Sequence, residues 1–331
     1  MITARFSGIG FHVPERVVTN HDLEALMDTS DAWIVERTGI RERHWAVPPD
    51  SSTTDLGLAA ARRALADAGR TAADLDCIVF ATTTPDYMAP GCGVLLQARL
   101  GAGPIAAFDL RNACSGFLFG LTAADAFIRA GRYRCVLVVG AEVQSTGLDV
   151  STRGRDMAVL FGDGAGAAVV EPTDDGRGLL SCVLHGDGSL ANELWVEAPT
   201  STVPGRMTPE MIEAGRHFPR MNGRQVFKHA TTRFPEVIHE ALAAAGHTLD
   251  QVALIVPHQA NQRIGDAVAE RLGLPAEKVF QNIERYGNTT AASIPIALTE
   301  ARDQGRVHSG DLIVLAAFGA GFAWGACVVR W

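Results

Sequence analysis

The sequence predicts an α/β layered fold built from two similar halves, on three observations. Short β-branched runs alternate with Ala- and Gly-rich stretches of helical periodicity. Two sequence patterns recur in the same order at nearly the same offset. A turn-rich break lies between the copies. The chain has 331 residues, 47% of them hydrophobic and 20% charged. That composition suits a well-buried globular protein of about two domains.

The runs Ile78-Val-Phe-Ala, Val136-Leu-Val-Val and Ile313-Val-Leu-Ala read as buried strands. Segments 55–69, 115–130, 228–245, 262–273 and 290–304 carry apolar residues at three- and four-residue spacing and read as helices. Buried strands alternating with helices predict layers. The repeat appears in Ala64-Leu-Ala-Asp-Ala-Gly-Arg-Thr and Ala241-Leu-Ala-Ala-Ala-Gly-His-Thr, whose glycines stand 177 positions apart. Gly131-Arg132 and Gly305-Arg306 repeat at 174 positions. Pro172–Gly178 is the turn-rich break, so the predicted halves are 1–174 and 175–331.

Composition also excludes several functions. A net charge of −8 opposes bulk binding to nucleic acid, and an acidic partner needs a local basic patch. No run of about 18 apolar residues predicts a membrane span. The first residues lack a basic segment followed by an apolar run, so no signal peptide is expected. Six cysteines at 77, 92, 114, 135, 182 and 327 suit neither a zinc site nor a disulfide framework. The expectation is a cytoplasmic protein with reduced thiols and no metal.

Chemistry concentrates at three positions. Cys114 lies in Asp109-Leu-Arg-Asn-Ala-Cys-Ser-Gly-Phe, ahead of an Ala-rich helix. Free backbone N–H groups and the positive dipole end there favour the thiolate. A buried core cysteine is the plain alternative, and it suffices for Cys77, Cys135, Cys182 and Cys327 in or beside strand-like runs. Cys92, in a Gly-rich stretch, carries no signal. His258, in Ile255-Val-Pro-His-Gln-Ala-Asn, sits where a strand gives way to a helix, the place α/β folds put reactive groups. It reads as a proton donor or acceptor, or as a polar turn residue. Moving 174 positions from Cys114 lands on Asn288, so the two occupy equivalent places near helix starts. Asn288 reads as an N-cap or as an N–H donor to a developing oxyanion. Gly162-Asp-Gly-Ala-Gly-Ala and Gly319-Ala-Gly-Phe lack the Lys-Ser/Thr of a phosphate loop and read as tight turns close to a site.

Six segments together resemble the β-ketoacyl-acyl-carrier-protein synthase III family of the thiolase-like superfamily. They are Thr29-Ser-Asp-Ala-Trp-Ile-Val-Glu-Arg-Thr-Gly-Ile-Arg-Glu-Arg, Ala113-Cys-Ser-Gly-Phe, Phe161-Gly-Asp-Gly-Ala-Gly-Ala, Val256-Pro-His-Gln-Ala-Asn, Gly287-Asn-Thr-Thr-Ala-Ala-Ser and Phe318-Gly-Ala-Gly-Phe-Ala-Trp-Gly. The resemblance implies a five-layered αβαβα fold, a homodimer, and ping-pong condensation of an acyl-CoA with malonyl-acyl-carrier protein, without a cofactor. It implies Cys114, His258 and Asn288 as the catalytic set and Gly319, Ala320 and Gly321 as the oxyanion loop. It further implies Trp33 and Arg37 flanking the CoA adenine with Arg153 beside them, Asn261 and Phe227 lining the pantetheine tunnel, and Lys228 and Arg263 near the tunnel mouth as a patch for the carrier protein; Arg224, four residues before Lys228, would share a helix face with it.

Two departures stand out. Ala320 replaces the middle of three glycines usual in the family, which would cost strain if its φ were positive. Ala89 stands before Pro90, where acetyl-preferring members often carry an aromatic that reaches the partner's acyl pocket. Ala89 therefore implies room for medium, long or branched acyl groups. Segment 192–220, with Trp195, is expected to shape the entrance. A synthase III-like enzyme of secondary metabolism, condensing or transferring acyl groups, shares all these residues. A non-catalytic carrier-protein scaffold is disfavoured by the intact Cys114, His258 and Asn288. A degradative thiolase needs a second reactive cysteine, and elongating synthases need a second histidine where Asn288 stands.

Overall fold

The structure, a computed structural model, describes residues 2–48 and 51–331. Nine strands form its two main sheets: β1 Thr3–His12, β2 Cys77–Ala81, β3 Ala106–Leu110, β4 Val136–Glu142, β5 Gly164–Thr173, β6 Gly178–Gly186, β7 Leu254–Pro257, β8 Leu312–Gly319 and β9 Ala323–Arg330. The first sheet has the order β1-β5-β4-β2-β3, with β3, β2 and β4 parallel and β5 and β1 antiparallel. The second has the order β7-β8-β9-β6, with only β7 and β8 parallel. Seven helices position the layers: α1 Asp31–Thr38, α2 Thr53–Asp67, α3 Cys92–Leu100, α4 Gly116–Arg129, α5 Gly223–Ala244, α6 Gln262–Leu272 and α7 Ser293–Asp303.

Alternation along each strand assigns the layers. Val79, Val136 and Val138 of the first sheet share a core with Phe117 and Leu121 of α4, Ile294 and Leu298 of α7, and Val256, Ile313 and Leu315 of the second sheet. The intervening residues Ile78, Phe80, Leu137 and Val139 face α2 and α3 instead. Leu312, Val314, Ala316 and Phe318 likewise face α5 and α6. Successive side chains point to opposite faces, so each sheet must be buried on both. The result is five layers, αβαβα, with α4 and α7 in the middle.

The Gly-rich run at 162–167 is not the tight turn expected from its composition. Gly164 and Gly166 lie within strand β5. A Cβ on Gly166 would come 2.6 Å from Pro295, and one on Gly164 would come 3.1 Å from Ile296. These glycines let α7 pack directly on the sheet. Cys92 is buried in the first turn of α3. Cys327 sits within β9 opposite Cys182 of β6, far from the role of a second reactive cysteine.

Candidate active site

Cys114 lies in a short 3-10 turn, Ala113–Ser115, that runs into α4. The turn is strained at Ala113, whose φ is 45°. Ser115 Oγ donates to Ala323 O at 2.8 Å and ties this turn to the start of β9. Gly319, the last residue of β8, packs so tightly here that a Cβ on it would lie 2.5 Å from Cys114 Cβ. Burial pushes the Cys114 thiol up to about 12, with the Glu142 carboxylate as the second cause, while the backbone N–H of Ala320 pulls the other way. That N–H and the N–H of Cys114 itself are the groups that stabilise negative charge at sulfur.

Asn288 occupies the matching place ahead of α7. Its backbone is pinned to the 160–162 segment, with Asn288 N donating to Leu160 O at 2.8 Å and Gly162 N donating to Asn288 O at 3.1 Å. Arg43, fully buried, donates to Val159 O, Val18 O and Asn20 Oδ1 beneath this segment. Asn288 Oδ1 accepts from Thr290 N at 2.9 Å. Asn288 is thus not an N-cap, since Thr289 holds that place without a side-chain cap bond; its oxygen closes a turn onto Thr290 N, and its Nδ2–H₂ is the candidate donor. The turn Thr290–Ala292 leads on into α7.

His258 follows β7 directly, its N–H bonded to Ala316 O at 2.7 Å. Its ring is buried, with Nδ1 2.6 Å from Ser293 Oγ and Nε2 lacking a partner among the described residues. Burial drops its pKa to about 3, so the imidazole is neutral.

Cys114, His258, Asn288 and Gly319 line one cavity of about 740 Å³. It opens past Phe161, Val226 and Phe318 to a mouth of Trp33, Arg37, Arg224, Phe227, Asn261 and Arg263. Among the described residues Leu194 is the one member of the 192–220 segment in the lining, joined by Met221 just beyond that segment, whereas Trp195 does not line it. Asn261 caps α6 through Oδ1, which accepts from Arg263 N, and its Nδ2 donates to Arg37 O at 2.9 Å. It thereby joins α1 to α6 across the rim. Arg153 does not line this cavity. It is paired with Asp149 in a separate depression, 5.7 Å over Phe218. Arg155 takes the place beside Trp33 that the resemblance gave to Arg153: it and Arg37 stack 4.6 Å and 4.5 Å from the ring centroid. Lys228 is exposed on α5 outside the cavity lining. Ala89 is exposed and away from the cavity of its own chain.

The strain feared at Ala320 falls elsewhere. The positive-φ residues other than glycine are Ala113, Arg206 and Thr290 among the described residues, while Gly321 carries φ 140°. Glycine thus stands where the loop needs it. Three neighbours of the site carried no signal of their own in the sequence. Glu142, fully buried, accepts from the Thr82, Thr83 and Thr84 hydroxyls and from Thr83 N. Gln144 donates to Thr290 Oγ1 at 3.0 Å. Ser293 lies five residues beyond Asn288, within a motif already singled out.

Comparison with known proteins gives the family. Residues 108–188 match the 3-oxoacyl-[acyl-carrier-protein] synthase III family model, and residues 242–331 match the model of its C-terminal part. A β-ketoacyl-[acyl-carrier-protein] synthase III of Symbiobacterium thermophilum is 49% identical, over 98% of this chain and 97% of that one. The crystal structure of 3-oxoacyl-[acyl-carrier-protein] synthase III from Aquifex aeolicus superposes with TM-score 0.91 at 43% identity, over 99% of this chain and 100% of that one. A priming β-ketosynthase of the R1128 polyketide pathway superposes with TM-score 0.90 at 35% identity, over 99% and 96%. The chain belongs to the 3-oxoacyl-[acyl-carrier-protein] synthase III family.

Proposed function

We propose that the protein condenses an acyl-CoA primer with malonyl-acyl-carrier protein, releasing carbon dioxide and giving a β-ketoacyl-carrier protein. The observation that carries this is the joint presence of Cys114, His258, Asn288 and Gly319 on one cavity with a basic, aromatic mouth. The relatives' names supply the substrate class.

In the first half-reaction Cys114 sulfur attacks the acyl thioester, and the thiol proton ends on the departing CoA sulfur. The N–H groups of Cys114 and of the Gly319–Gly321 loop hold the oxyanion. In the second, malonyl-carrier protein loses carbon dioxide and the electron pair becomes an enolate. Asn288 Nδ2–H and His258 Nε2–H hold the enolate oxygen, each donor being worth about 3–4 kcal/mol in such sites. The carbanion attacks acyl-Cys114, and the freed sulfur takes a proton from solvent.

Trp33 and Arg37, with Arg155 in place of Arg153, are our assignment for the nucleotide end of CoA, and Phe227 and Asn261 for the pantetheine arm. Arg224, Lys228 and Arg263 form a local positive edge for an acidic carrier protein, despite the net charge of −8. We assign residues 1–174 and 175–331 as the duplicated halves, since each contributes one sheet and one central helix. A homodimer is supported by strand β3, which stands at a sheet edge, and by Phe108, Val94, Tyr87 and Met88, all exposed apolar side chains. An open apolar edge of this kind calls for a partner. In that dimer Ala89 would reach the partner's acyl pocket and leave it roomy. All six cysteines are free thiols, which fits the cytoplasm.

Similarity to a polyketide priming enzyme keeps a secondary-metabolic primer as the second reading of the same chemistry. Trapping carbon dioxide from carboxyl-labelled malonyl-carrier protein tests the proposal. Release that needs both an acyl-CoA and Cys114 is expected. Acyl transfer with no such release would overturn it.

A further inference from the structure

The proposed condensation needs a hydrogen-bond donor at His258 Nε2, yet a neutral imidazole has one proton and two nitrogens. Something must keep that proton off Nδ1. In triads where a carboxylate faces Nδ1, the opposite tautomer is enforced and Nε2 becomes a base. Here the group facing Nδ1 is a hydroxyl, which can donate.

The distances decide which way it points. Ser293 Oγ is 2.6 Å from His258 Nδ1 and 3.0 Å from Thr290 O. An N–H donor to oxygen spans about 2.7–3.2 Å, so 2.6 Å is short for an imidazole N–H donating to the hydroxyl, while O–H donors to oxygen span about 2.5–3.0 Å. The short contact fits a hydroxyl donating to nitrogen, and the 3.0 Å contact is at the far end for a hydroxyl. Thr290 O has no need of that hydroxyl, because it already accepts the backbone N–H of Ser293. Ser293 is itself buried, so no solvent competes for its proton. His258 Nε2 is buried with no partner among the described residues, on the residue that shares the cavity with Cys114 and Asn288.

We infer that Ser293 is a positioning residue whose hydroxyl donates to His258 Nδ1 and so holds the imidazole in the tautomer protonated at Nε2. This rests on the condensing role proposed above, and it makes that role more specific. His258 then serves the malonyl half-reaction as a donor and does not serve as the base for the Cys114 thiol. The placement of Ser293 at the first turn of α7 fixes its Cα relative to Asn288, so one helix start sets both enolate donors.

Nitrogen-15 NMR of the histidine-labelled holoprotein, with His258→Gln to assign the signal, reads the tautomer without any substrate. The expected result is an unprotonated Nδ1 and a protonated Nε2 in the wild type. Ser293→Thr should keep that pattern, and Ser293→Ala should lose it. In Ser293→Ala, kcat for malonyl-dependent condensation should fall about 10²-fold, the scale for one oxyanion donor. Acylation of Cys114 should fall less than tenfold, and Ser293→Thr should restore most of the condensation rate. A wild-type His258 protonated at Nδ1 would overturn the inference even if condensation were demonstrated. So would a Ser293→Ala protein with an unchanged tautomer, or with equal losses in both half-reactions. Absence of condensation with the Nε2–H tautomer intact would instead strike the functional proposal alone.

Discussion

Replacing Gly319 with alanine tests the closest contact in the site. The new methyl would lie 2.5 Å from Cys114 Cβ and 2.8 Å from Cys114 Sγ. Carbon atoms rest at about 3.5–4.0 Å, so the overlap is roughly 1 Å. Neither neighbour yields cheaply. Cys114 is held by the Ala113–Ser115 turn, and Gly319 is paired with Ala323 across β8 and β9. Overpacking of this kind costs about 1–3 kcal/mol of stability. Whichever side gives way, the sulfur and the Ala320 N–H separate or misalign, and a 1 Å misplacement costs about 10²-fold in rate. Urea unfolding gives the first number, and the time course of the acyl-Cys114 adduct by intact mass gives the second. Gly103→Ala is the control, because a Cβ there meets nothing within 4 Å. A Gly319→Ala protein with wild-type stability and wild-type acylation would refute the packing of loop against nucleophile.

Further outcomes follow from other contacts. Burial raises the Glu142 carboxyl to about 7, above its unfolded value, so its protonated form is the one the fold prefers. That stability is complete below the unfolded pKa and is lost as pH rises through 7, roughly 2–3 kcal/mol between pH 5 and 8. Urea unfolding of Glu142→Gln at both pH values should show a flatter profile than wild type, and an equally steep profile would sink the assignment. Asn288→Asp keeps the oxygen that accepts from Thr290 N and removes the Nδ2 donor; condensation should fall about 10²–10³-fold with acylation largely kept, whereas equal losses would mean that the turn onto Thr290 alone matters. Ala89→Phe should cut acylation by octanoyl-CoA relative to acetyl-CoA by about 10-fold or more, and no change in that ratio would remove Ala89 from the partner's pocket.

Much of the architecture was legible because burial imposes period. Helix α2 and the core-facing parts of α4 and α5 carry apolar residues at helical spacing, and β2, β4 and β8 are buried on both faces, so their runs are nearly continuous. The polar first turn of α5 was not legible, since Gly223-Arg224-Gln225 has no apolar face and is started by the Asn222 cap. Strand β5 was hidden by its glycines, which look like a turn until α7 is laid against them. At the site, Cys114, His258 and Asn288 were readable from motif and from the internal repeat. Arg155 was not, because it and Arg153 are two residues apart with the same chemistry, and only the turn at 152–154 decides which reaches Trp33. Glu142 and Ser293 were invisible for a different reason. Their importance lies in what they touch, a threonine loop and an imidazole nitrogen, and contacts across the fold leave no local pattern.

The central claim is that Cys114 carries the acyl group between two substrates. Its most direct test is intact-protein mass spectrometry after incubation with a panel of acyl-CoAs, with and without malonyl-carrier protein, alongside Cys114→Ala. The account predicts an acyl adduct that is absent in Cys114→Ala and that disappears on adding malonyl-carrier protein as β-ketoacyl product forms. No adduct from any donor, or an adduct unaffected by Cys114→Ala, would contradict it.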